Sequence, residues 1–261
     1  MVKLAANLSM MFTEAPFLDR FALAAGAGFS AVEMMFPYEA PAGEVRDRLR
    51  EHGLTLVLFN MPAGDWAGGE RGLGALPARV EEFRTGARKA LDYARVLGCR
   101  RLHLMAGKAP RDEAARSTLV DNIRYAADLV AGDGIDILLE PINTRVDMPG
   151  YFYDTTAATL DIIREAGAPN VKLQYDIYHM QIMEGDLARA IERLLPSIGH
   201  IQLADNPGRG EPGTGEINYP WLLEHIDRLG YEGYVGCEYK PAARTEDGLG
   251  WTKPYLKDAA R

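Results

Sequence analysis

Residues 135–143 read Ile-Asp-Ile-Leu-Leu-Glu-Pro-Ile-Asn, and this stretch decides the fold. An apolar run of strand length ends at Glu140, and Pro141 follows at once, where it cannot donate a hydrogen bond to a sheet. A short run of bulky apolar residues fits a strand that is buried on both faces, as in parallel sheets. A carboxylate at the end of such a strand is costly to bury without a cation. Glu140 is therefore a candidate ligand or catalyst.

On either side of this stretch, the pattern of a short apolar strand followed by an amphipathic helix recurs about eight times along the 261 residues. Such alternation predicts an α/β protein with a parallel sheet and right-handed crossovers. Eight units in a chain of this length favour a closed (β/α)8 TIM barrel over an open doubly wound sheet. No break in composition marks a second domain, so we expect a single domain over residues 1–261.

The composition is that of a soluble globular protein, with 47% hydrophobic and 25% charged residues. The formal net charge of -8 argues against a nucleic-acid partner, since phosphate binding needs a basic face. No apolar run approaches the roughly 18 residues of a membrane helix, and no signal-peptide pattern begins the chain. Cys99 and Cys237 lack a CxxC partner and are expected to be reduced core residues. These features predict a cytoplasmic protein.

Polar residues close the last four predicted strands, where a TIM barrel places its chemistry. The fifth to eighth strands carry Glu140, Asp176, Gln202 and Glu238 respectively near their ends, and the sixth is predicted to run from Val171 to Tyr178. Three carboxylates and an amide brought to one rim would suit a hard divalent ion such as Mg²⁺ or Mn²⁺. The alternative is that each side chain pairs with a lysine or arginine of a neighbouring strand, or with a helix N-terminus.

Four motifs carry a resemblance to a known family. They are Leu-Glu-Pro-Ile-Asn (139–143), Gln-Tyr-Asp-Ile-Tyr-His-Met-Gln (174–181), His-Ile-Gln-Leu-Ala-Asp-Asn-Pro-Gly-Arg (200–209) and Gly-Cys-Glu-Tyr-Lys-Pro (236–241). With these motifs the chain resembles the hydroxypyruvate isomerases, in the xylose-isomerase-like group of TIM barrels, over nearly its whole length. The resemblance implies two catalytic glutamates, Glu140 and Glu238. It also implies a metal-binding set of Glu140, Asp176, Gln202 and Glu238, although related ketose 3-epimerases tend to have histidine in place of Gln202.

The activity implied by the resemblance is the interconversion of hydroxypyruvate and tartronate semialdehyde (2-hydroxy-3-oxopropanoate). A carbonyl would move between adjacent carbons through an enediolate, with two carboxylates transferring the proton and a divalent ion stabilising the charge. The small-molecule substrate would be a 2-oxo acid or a sugar, and relatives lead us to expect a homo-oligomer.

A carboxylate substrate needs a local positive charge in an acidic protein. The candidates are Arg209, Lys108 and His179, and the resemblance places His179 and Arg209 at substrate-contact positions. Lys108 is alternatively an ordinary surface lysine, and His179 a support for a ligand. His103 and His200, within strands, are expected to be buried and hydrogen-bonded.

A long loop, 61–76, contains Trp66, and its glycine-rich part, Gly64 to Gly74, is either a lid over the barrel mouth or a simple surface excursion.

Three other functions remain open. A 3-epimerase or an isomerase of a larger oxo-sugar acid or ketose would use the same metal site. A metal-dependent nuclease would need a histidine-rich zinc cluster and a basic surface, and five scattered histidines with a net charge of -8 speak against it. A non-catalytic binding barrel would have no use for paired glutamates beside a metal.

Overall fold

The structure is a computed structural model, and it describes residues 1–256. Within these residues, eight β-strands alternate with helices along the chain. The strands are β1 (Lys3–Asn7), β2 (Ala31–Met34), β3 (Thr55–Asn60), β4 (Arg101–His103), β5 (Asp136–Leu139), β6 (Val171–Asp176), β7 (Ile198–Leu203) and β8 (Tyr234–Cys237). The α-helices are α1 (Arg20–Gly26), α2 (Ala42–Glu51), α3 (Val80–Leu97), α4 (Glu113–Ala131), α5 (Thr156–Ala166), α6 (Ile177–Met183), α7 (Leu187–Leu194) and α8 (Tyr219–Arg228).

Each strand pairs in parallel with the next, and β8 pairs with β1, so the sheet closes into a barrel. This confirms the predicted α/β class and the closed (β/α)8 barrel. The register places Asp176 of β6 opposite Gln202 of β7, and Gln202 opposite Gly236 of β8. Neighbouring strands therefore deliver their last residues to one rim, which is where TIM barrels carry their active sites.

The helices cover the barrel through apolar stripes. Helix α3 shows the pattern, with residues three or four apart buried on one face: Phe83, Ala87, Ala90, Leu91, Ala94 and Leu97. Gly98 ends this helix in the left-handed region at φ 68°, a conformation that suits glycine. The main apolar core thus lies between the sheet and its helices.

The inside of the barrel is different because it becomes polar toward the C-terminal ends of the strands. A small separate apolar cluster includes Ala5, Ala31 and Leu138. Since alternate strand residues share a face, the residues two positions further along point the same way. Those include Asn7 and Glu33, both buried. The upper layer of the barrel interior is consequently built from hydrogen-bonding side chains.

The structure corrects one detail beside β6. The sixth strand, expected to run to Tyr178, ends at Asp176, and a seven-residue helix, α6, follows at once. The Asp176 Oδ1 atom accepts a hydrogen bond from the Tyr178 backbone N–H at 2.8 Å and so caps the helix.

The single domain predicted over residues 1–261 includes 257–261, which lie outside the described residues. Among the described helices, we find none with the length and apolar character needed to cross a bilayer.

Candidate active site

Three buried carboxylates lie at the C-terminal rim of the barrel. Glu140 directly follows β5, Asp176 ends β6 and Glu238 directly follows β8. Their exposed fractions are 4%, 0% and 7%. Such groups are rarely buried unless they are paired, hydrogen-bonded or bound to a metal. Their partners therefore indicate what the site does.

Two of these oxygens have no hydrogen-bond partner within residues 1–256, namely Oε1 of Glu140 and Oδ2 of Asp176. Both are buried, and one ligand atom from each of Glu140, Asp176 and His179 lies within 4.8 Å of the others. Unpaired carboxylate oxygens at one spot are costly without a cation. This part of the rim therefore has the donor atoms that a hard metal ion requires.

Burial is the main cause of the pKa shifts at the rim. It raises the pKa of Glu238 to about 8, against the lowering effect of Arg209, and the nearby Asp176 raises it further. Burial, Glu238 and Asp176 together raise the pKa of Glu140 well above its ordinary value. The pKa of Asp176 rises to about 6, again mainly by burial and again opposed by Arg209. Groups that hold protons near neutral pH suit acid–base chemistry.

Arg209 is the cation that these carboxylates share. Its Nη2 atom donates to Oε2 of Glu238 at 2.7 Å and lies 3.8 Å from Oδ2 of Asp176. Its Nη1 atom lies 3.6 Å from Oδ1 of Asp147. Burial alone would lower the pKa of Arg209, but the surrounding carboxylates raise it. The guanidinium is thus positively charged and already surrounded by acids.

His179, on α6, is held by Asn143. The Oδ1 atom of Asn143 accepts hydrogen bonds from the backbone N–H groups of Val146 and Asp147, both at 3.0 Å. The Nδ2 atom of Asn143 therefore faces Nδ1 of His179, at 2.7 Å. Because Nδ2 can only donate, Nδ1 accepts, and the neutral ring carries its proton on Nε2. That nitrogen lies 3.5 Å from Oδ2 of Asp176, so the ring presents a donor to the rim.

Gln202 belongs to a hydrogen-bond network inside the barrel. Its Nε2 atom donates to Oε1 of Glu33 at 2.8 Å, and its Oε1 atom accepts from Gln174 at 2.6 Å. Glu33 also accepts from Asn7 at 3.0 Å, while its Oε2 lies 2.6 Å from Nε2 of His200. The amide of Gln202 is thus oriented by neighbours in the layer below the rim.

A cavity of about 190 Å³ opens above the rim. Both Glu140 and Glu238 line it, together with His103, His179 and Arg209. The rest of the wall is mostly apolar, with four methionines and one tryptophan: Met10, Met35, Met105, Met148 and Trp66. Pockets for drug-sized ligands have volumes of about 300–1,000 Å³, so this smaller cavity suits a molecule of few atoms.

A larger cleft, of about 590 Å³, is bordered by Arg124, Asp136 and Asn170 at the opposite, N-terminal end of β5. It contains none of the three rim carboxylates. We place the active site at the smaller cavity, since TIM barrels carry their chemistry at the C-terminal face.

The xylose isomerase-like TIM barrel family model matches residues 21–255. The chain belongs to this family. Among curated relatives, the 2-oxo-tetronate isomerase of Cupriavidus necator is 54% identical, with 98% of this chain and 99% of the relative covered. The hydroxypyruvate isomerase of Escherichia coli is 49% identical, with 98% of this chain and 100% of the relative covered. A crystal structure described as an AP endonuclease, family 2, from Brucella melitensis superposes with a TM-score of 0.96 at 49% identity, covering 98% and 100% of the two chains.

Membership of the xylose isomerase-like family confirms the resemblance drawn from the motifs. The names of the two curated relatives agree on one reaction class, so the prediction of an isomerase is confirmed at that level. In this barrel, the predicted residues Glu140, Glu238, His179 and Arg209 line one cavity. Asp176 contacts two of these lining residues: its Oδ2 atom lies 3.5 Å from Nε2 of His179 and 3.8 Å from Nη2 of Arg209.

Two predicted site residues lie differently. Lys108 is exposed and is absent from the cavity lining. Gln202 is buried at 2% exposure and contacts Glu33 and Gln174. Conversely, Lys240 lines the cavity and was missed by the sequence reasoning. Its signal was present in Glu238-Tyr239-Lys240, where alternation along an extended chain directs the first and third side chains to one side.

Loop 61–76 forms part of the cavity wall. Trp66 packs edge-on against Phe36, with ring centroids 5.1 Å apart, and the Arg71 guanidinium lies 4.1 Å from the Trp66 ring centre. Gly72 pairs with Ala106 in an antiparallel bridge that fastens the loop to the segment after β4. The loop is therefore a packed wall that covers one side of the site.

Proposed function

We propose that the protein interconverts a 2-oxo-3-hydroxy acid of three or four carbons and its 2-hydroxy-3-oxo isomer. Hydroxypyruvate with tartronate semialdehyde is the three-carbon pair, and 2-oxo-tetronate would react at the same two carbons. The observation that carries the proposal is the pair Glu140 and Glu238, two buried carboxylates with raised pKa values that line one small cavity. Curated relatives with both substrate names support it.

The reaction needs one proton removed from C3 and one delivered to C2, while the hydroxyl proton on the C3 oxygen is lost and the C2 oxygen gains one at the enediolate stage. One glutamate removes the first proton while the other, in its protonated form, donates the second. Without a bound ion, burial raises the pKa of both glutamates, which favours one proton retained within the pair for the general acid, while the ionised partner acts as the base. His179, with its Nε2 proton directed at the rim, is placed to donate a hydrogen bond to a substrate oxygen. Such a donor stabilises the negative charge that develops on the enediolate.

We further propose that Glu140, Asp176 and Glu238 hold a divalent cation, Mg²⁺ or Mn²⁺, with Gln202 as the fourth ligand through the second lone pair of the Oε1 atom that accepts from Gln174. The unpaired oxygens of Glu140 and Asp176 support this. When bound, the ion would supply positive charge that stabilises the enediolate. His179 is outside the proposed set because its Nδ1 accepts from Asn143, which leaves Nε2 protonated.

The alternative is a 3-epimerase or isomerase of a larger ketose or oxo-sugar acid on the same carboxylates. The cavity volume of about 190 Å³ and the packed wall that includes Trp66 favour a short substrate. A nuclease is disfavoured by the net charge of -8. The cytoplasmic location and the homo-oligomer stay predictions.

The test is an assay of hydroxypyruvate and 2-oxo-tetronate with Mg²⁺ or Mn²⁺ in deuterated water, followed by nuclear magnetic resonance. The wild type is expected to form the isomer and to exchange the migrating proton with solvent. Glu140→Gln and Glu238→Gln should each lower turnover by roughly 10²- to 10⁴-fold, the range of positioned acid–base catalysis.

Glu224→Gln provides the matched control, because Glu224 is exposed on α8 and pairs there with Arg228. Near-normal turnover in either rim variant would remove that glutamate from the mechanism. If a chelator leaves the wild-type rate unchanged, the metal proposal is wrong while the acid–base proposal stands.

A further inference from the structure

The proposed substrate carries a carboxylate, and few positive groups line the cavity. The lining residues with basic nitrogen are Arg209, His103, His179 and Lys240. The two histidines lie against the rim acids, with Nδ1 of His103 at 3.6 Å from Oε2 of Glu140 and Nε2 of His179 at 3.5 Å from Oδ2 of Asp176. Both rings therefore lie against rim acids, which would repel a substrate carboxylate.

Arg209 is no better placed for an incoming carboxylate. Its guanidinium lies within 4.0 Å of acid oxygens on Glu238, Asp176 and Asp147. One face is also occupied, because its Cζ atom lies 5.1 Å from the Tyr178 ring centre. Asp176 and Asp147 alone outweigh the charge of one guanidinium, so Arg209 has no uncompensated positive charge to offer a substrate carboxylate.

Lys240, unlike Arg209, is not surrounded by acids. It lines the cavity and is exposed, and within residues 1–256 no carboxylate lies within 4.0 Å of its Nζ atom. Its backbone N–H donates to the Arg209 carbonyl at 2.8 Å, which fixes the main chain beside the rim. Tyr239, between Glu238 and Lys240, is fully buried and packs against Trp251, with ring centroids 6.2 Å apart. Its neighbours are thereby directed to the cavity side.

We propose that Lys240 binds the carboxylate of the substrate and makes the site select 2-oxo acids over neutral ketoses of the same length. The inference rests on the proposed function and names the group that recognises its substrate class. An ammonium is a compact point charge with three donors, which suits a carboxylate that enters from solvent. Lys240 lines the same small cavity as Glu140 and Glu238, so a substrate held there by its carboxylate keeps C2 and C3 in the cavity with the two proposed proton-transfer groups.

The experiment compares two ligands that differ only in the carboxylate. They are 2-oxo-tetronate and erythrulose, in which a hydroxymethyl group replaces the acid. Binding to the Mn²⁺-loaded enzyme is measured by calorimetry, and kcat/KM is measured where turnover occurs. The wild type should bind the acid more tightly, and Lys240→Met should lose about tenfold in affinity for the acid, in line with one hydrogen bond to a charged group. Affinity for erythrulose should be unchanged.

Three further variants complete the test. Lys240→Arg should restore most of the preference, because it keeps the charge. Lys253→Met, which removes an exposed lysine outside the cavity lining, should behave as the wild type. Lys108→Met tests the rival lysine and should keep the preference for the acid. The preference should also shrink at high salt, since ionic attraction to an exposed group is screened.

Several results would overturn the proposal. One is a Lys240→Met enzyme that keeps its full preference for the acid, and another is a preference that disappears in Lys108→Met instead. A wild type that binds both ligands equally would do the same. Failure of the proposed function is distinguishable, because it appears as acid binding that depends on Lys240 without any isomerisation.

Discussion

Two buried glutamates, one from each half of the barrel, have opposite surroundings. In the half formed by β1–β4, Glu33 is 1% exposed and accepts from Asn7 at 3.0 Å and Gln202 at 2.8 Å, with His200 at 2.6 Å. In the half formed by β5–β8, Glu140 is 4% exposed, and its Oε1 has no partner within residues 1–256. The residue type and the burial are the same, and only the partners differ.

The difference indicates that Glu33 has a structural role, whereas Glu140 and Asp176 are available to a ligand. The fold can satisfy a buried glutamate completely, as it does for Glu33, so the unpaired oxygens of Glu140 and Asp176 do not follow from a shortage of donors. A buried group left without partners costs about 1–3 kcal/mol or more when it is charged. Such a cost is typical of sites where a ligand completes the coordination.

The most severe test of the comparison is Asp176→Asn in the β5–β8 half. The change removes one proposed metal oxygen, and turnover should fall at least about 100-fold, since a bound ion contributes several kcal/mol. Mn²⁺ affinity, measured by calorimetry, should fall with it. Unfolding in urea should be little affected, because the lost oxygen has no hydrogen bond to lose.

Asp161→Asn is the matched control, because Asp161 is exposed on α5 and should leave both quantities unchanged. If Asp176→Asn binds Mn²⁺ as tightly as the wild type, the ion is held elsewhere.

Glu33→Gln tests the other half and should have the reverse profile. The amide nitrogen would face the donors of Asn7 and Gln202 in one orientation, and Nε2 of His200, whose ring would have to change tautomer, in the other, so unfolding in urea should show a loss of about 1–3 kcal/mol. Turnover should fall less than in Asp176→Asn, because Glu33 acts by orienting Gln202.

Gly236→Ala displaces the Glu33 carboxylate without replacing it, since a Cβ atom at position 236 would overlap the Glu33 side chain. This variant should also lose stability. The comparable change Gly26→Ala, in α1, meets nothing within 4 Å and should be neutral or slightly stabilising. Full stability in both Glu33→Gln and Gly236→Ala would show that the Glu33 network is not a support.

The smallest expected effect is a dependence of metal-free stability on pH. The folded protein raises the pKa of Glu238 to about 8 and that of Glu140 well above its ordinary value, both mainly by burial. The folded protein therefore binds more protons than the unfolded chain, whose glutamates have a pKa of about 4.3. Stability should fall as pH rises from about 6.5 until the folded pKa of Glu238 is passed.

Below that window the histidines act in the opposite direction. Burial lowers the pKa of His103 to about 3 and that of His179 well below its ordinary value. The unfolded chain then binds protons that these rings do not, which destabilises the fold as pH drops through about 6.5. Thermal unfolding in a chelator, between about pH 6.5 and 8.5, isolates the carboxylates. A flat profile, or the same slope in Glu238→Gln, would contradict this account.

The barrel could be predicted from the sequence because each strand is a local apolar run and each helix a local stripe. The rim residues followed, since strand ends in a closed parallel sheet meet at one edge. Helix α6 was not found, because Ile177 and Tyr178 continue the strand-like pattern of β6 and only Asp176 marks the boundary. The sequence pattern predicted Asp176 as a rim ligand but did not indicate that it also caps helix α6.

The support network was beyond local reasoning for a different reason. Glu33 and His200 are separated by 167 residues, and they meet only when the barrel closes with one particular register. His200 and His103 were expected to be buried and hydrogen-bonded. Both are buried, at 1% exposure, and His200 contacts Glu33, whereas Nε2 of His103 has no hydrogen-bond partner within residues 1–256. Which groups they would contact depended on strand pairing that no local pattern records.

The packed state of loop 61–76 has a consequence for ligand affinity. The bridge between Gly72 and Ala106 and the bidentate pairing of Arg79 with Glu70 fix the loop without help from a ligand. Ordering a mobile segment upon association costs conformational entropy that is subtracted from the binding free energy. Here the Trp66 wall is preorganised, so a molecule with very few atoms can keep most of the free energy that its contacts provide.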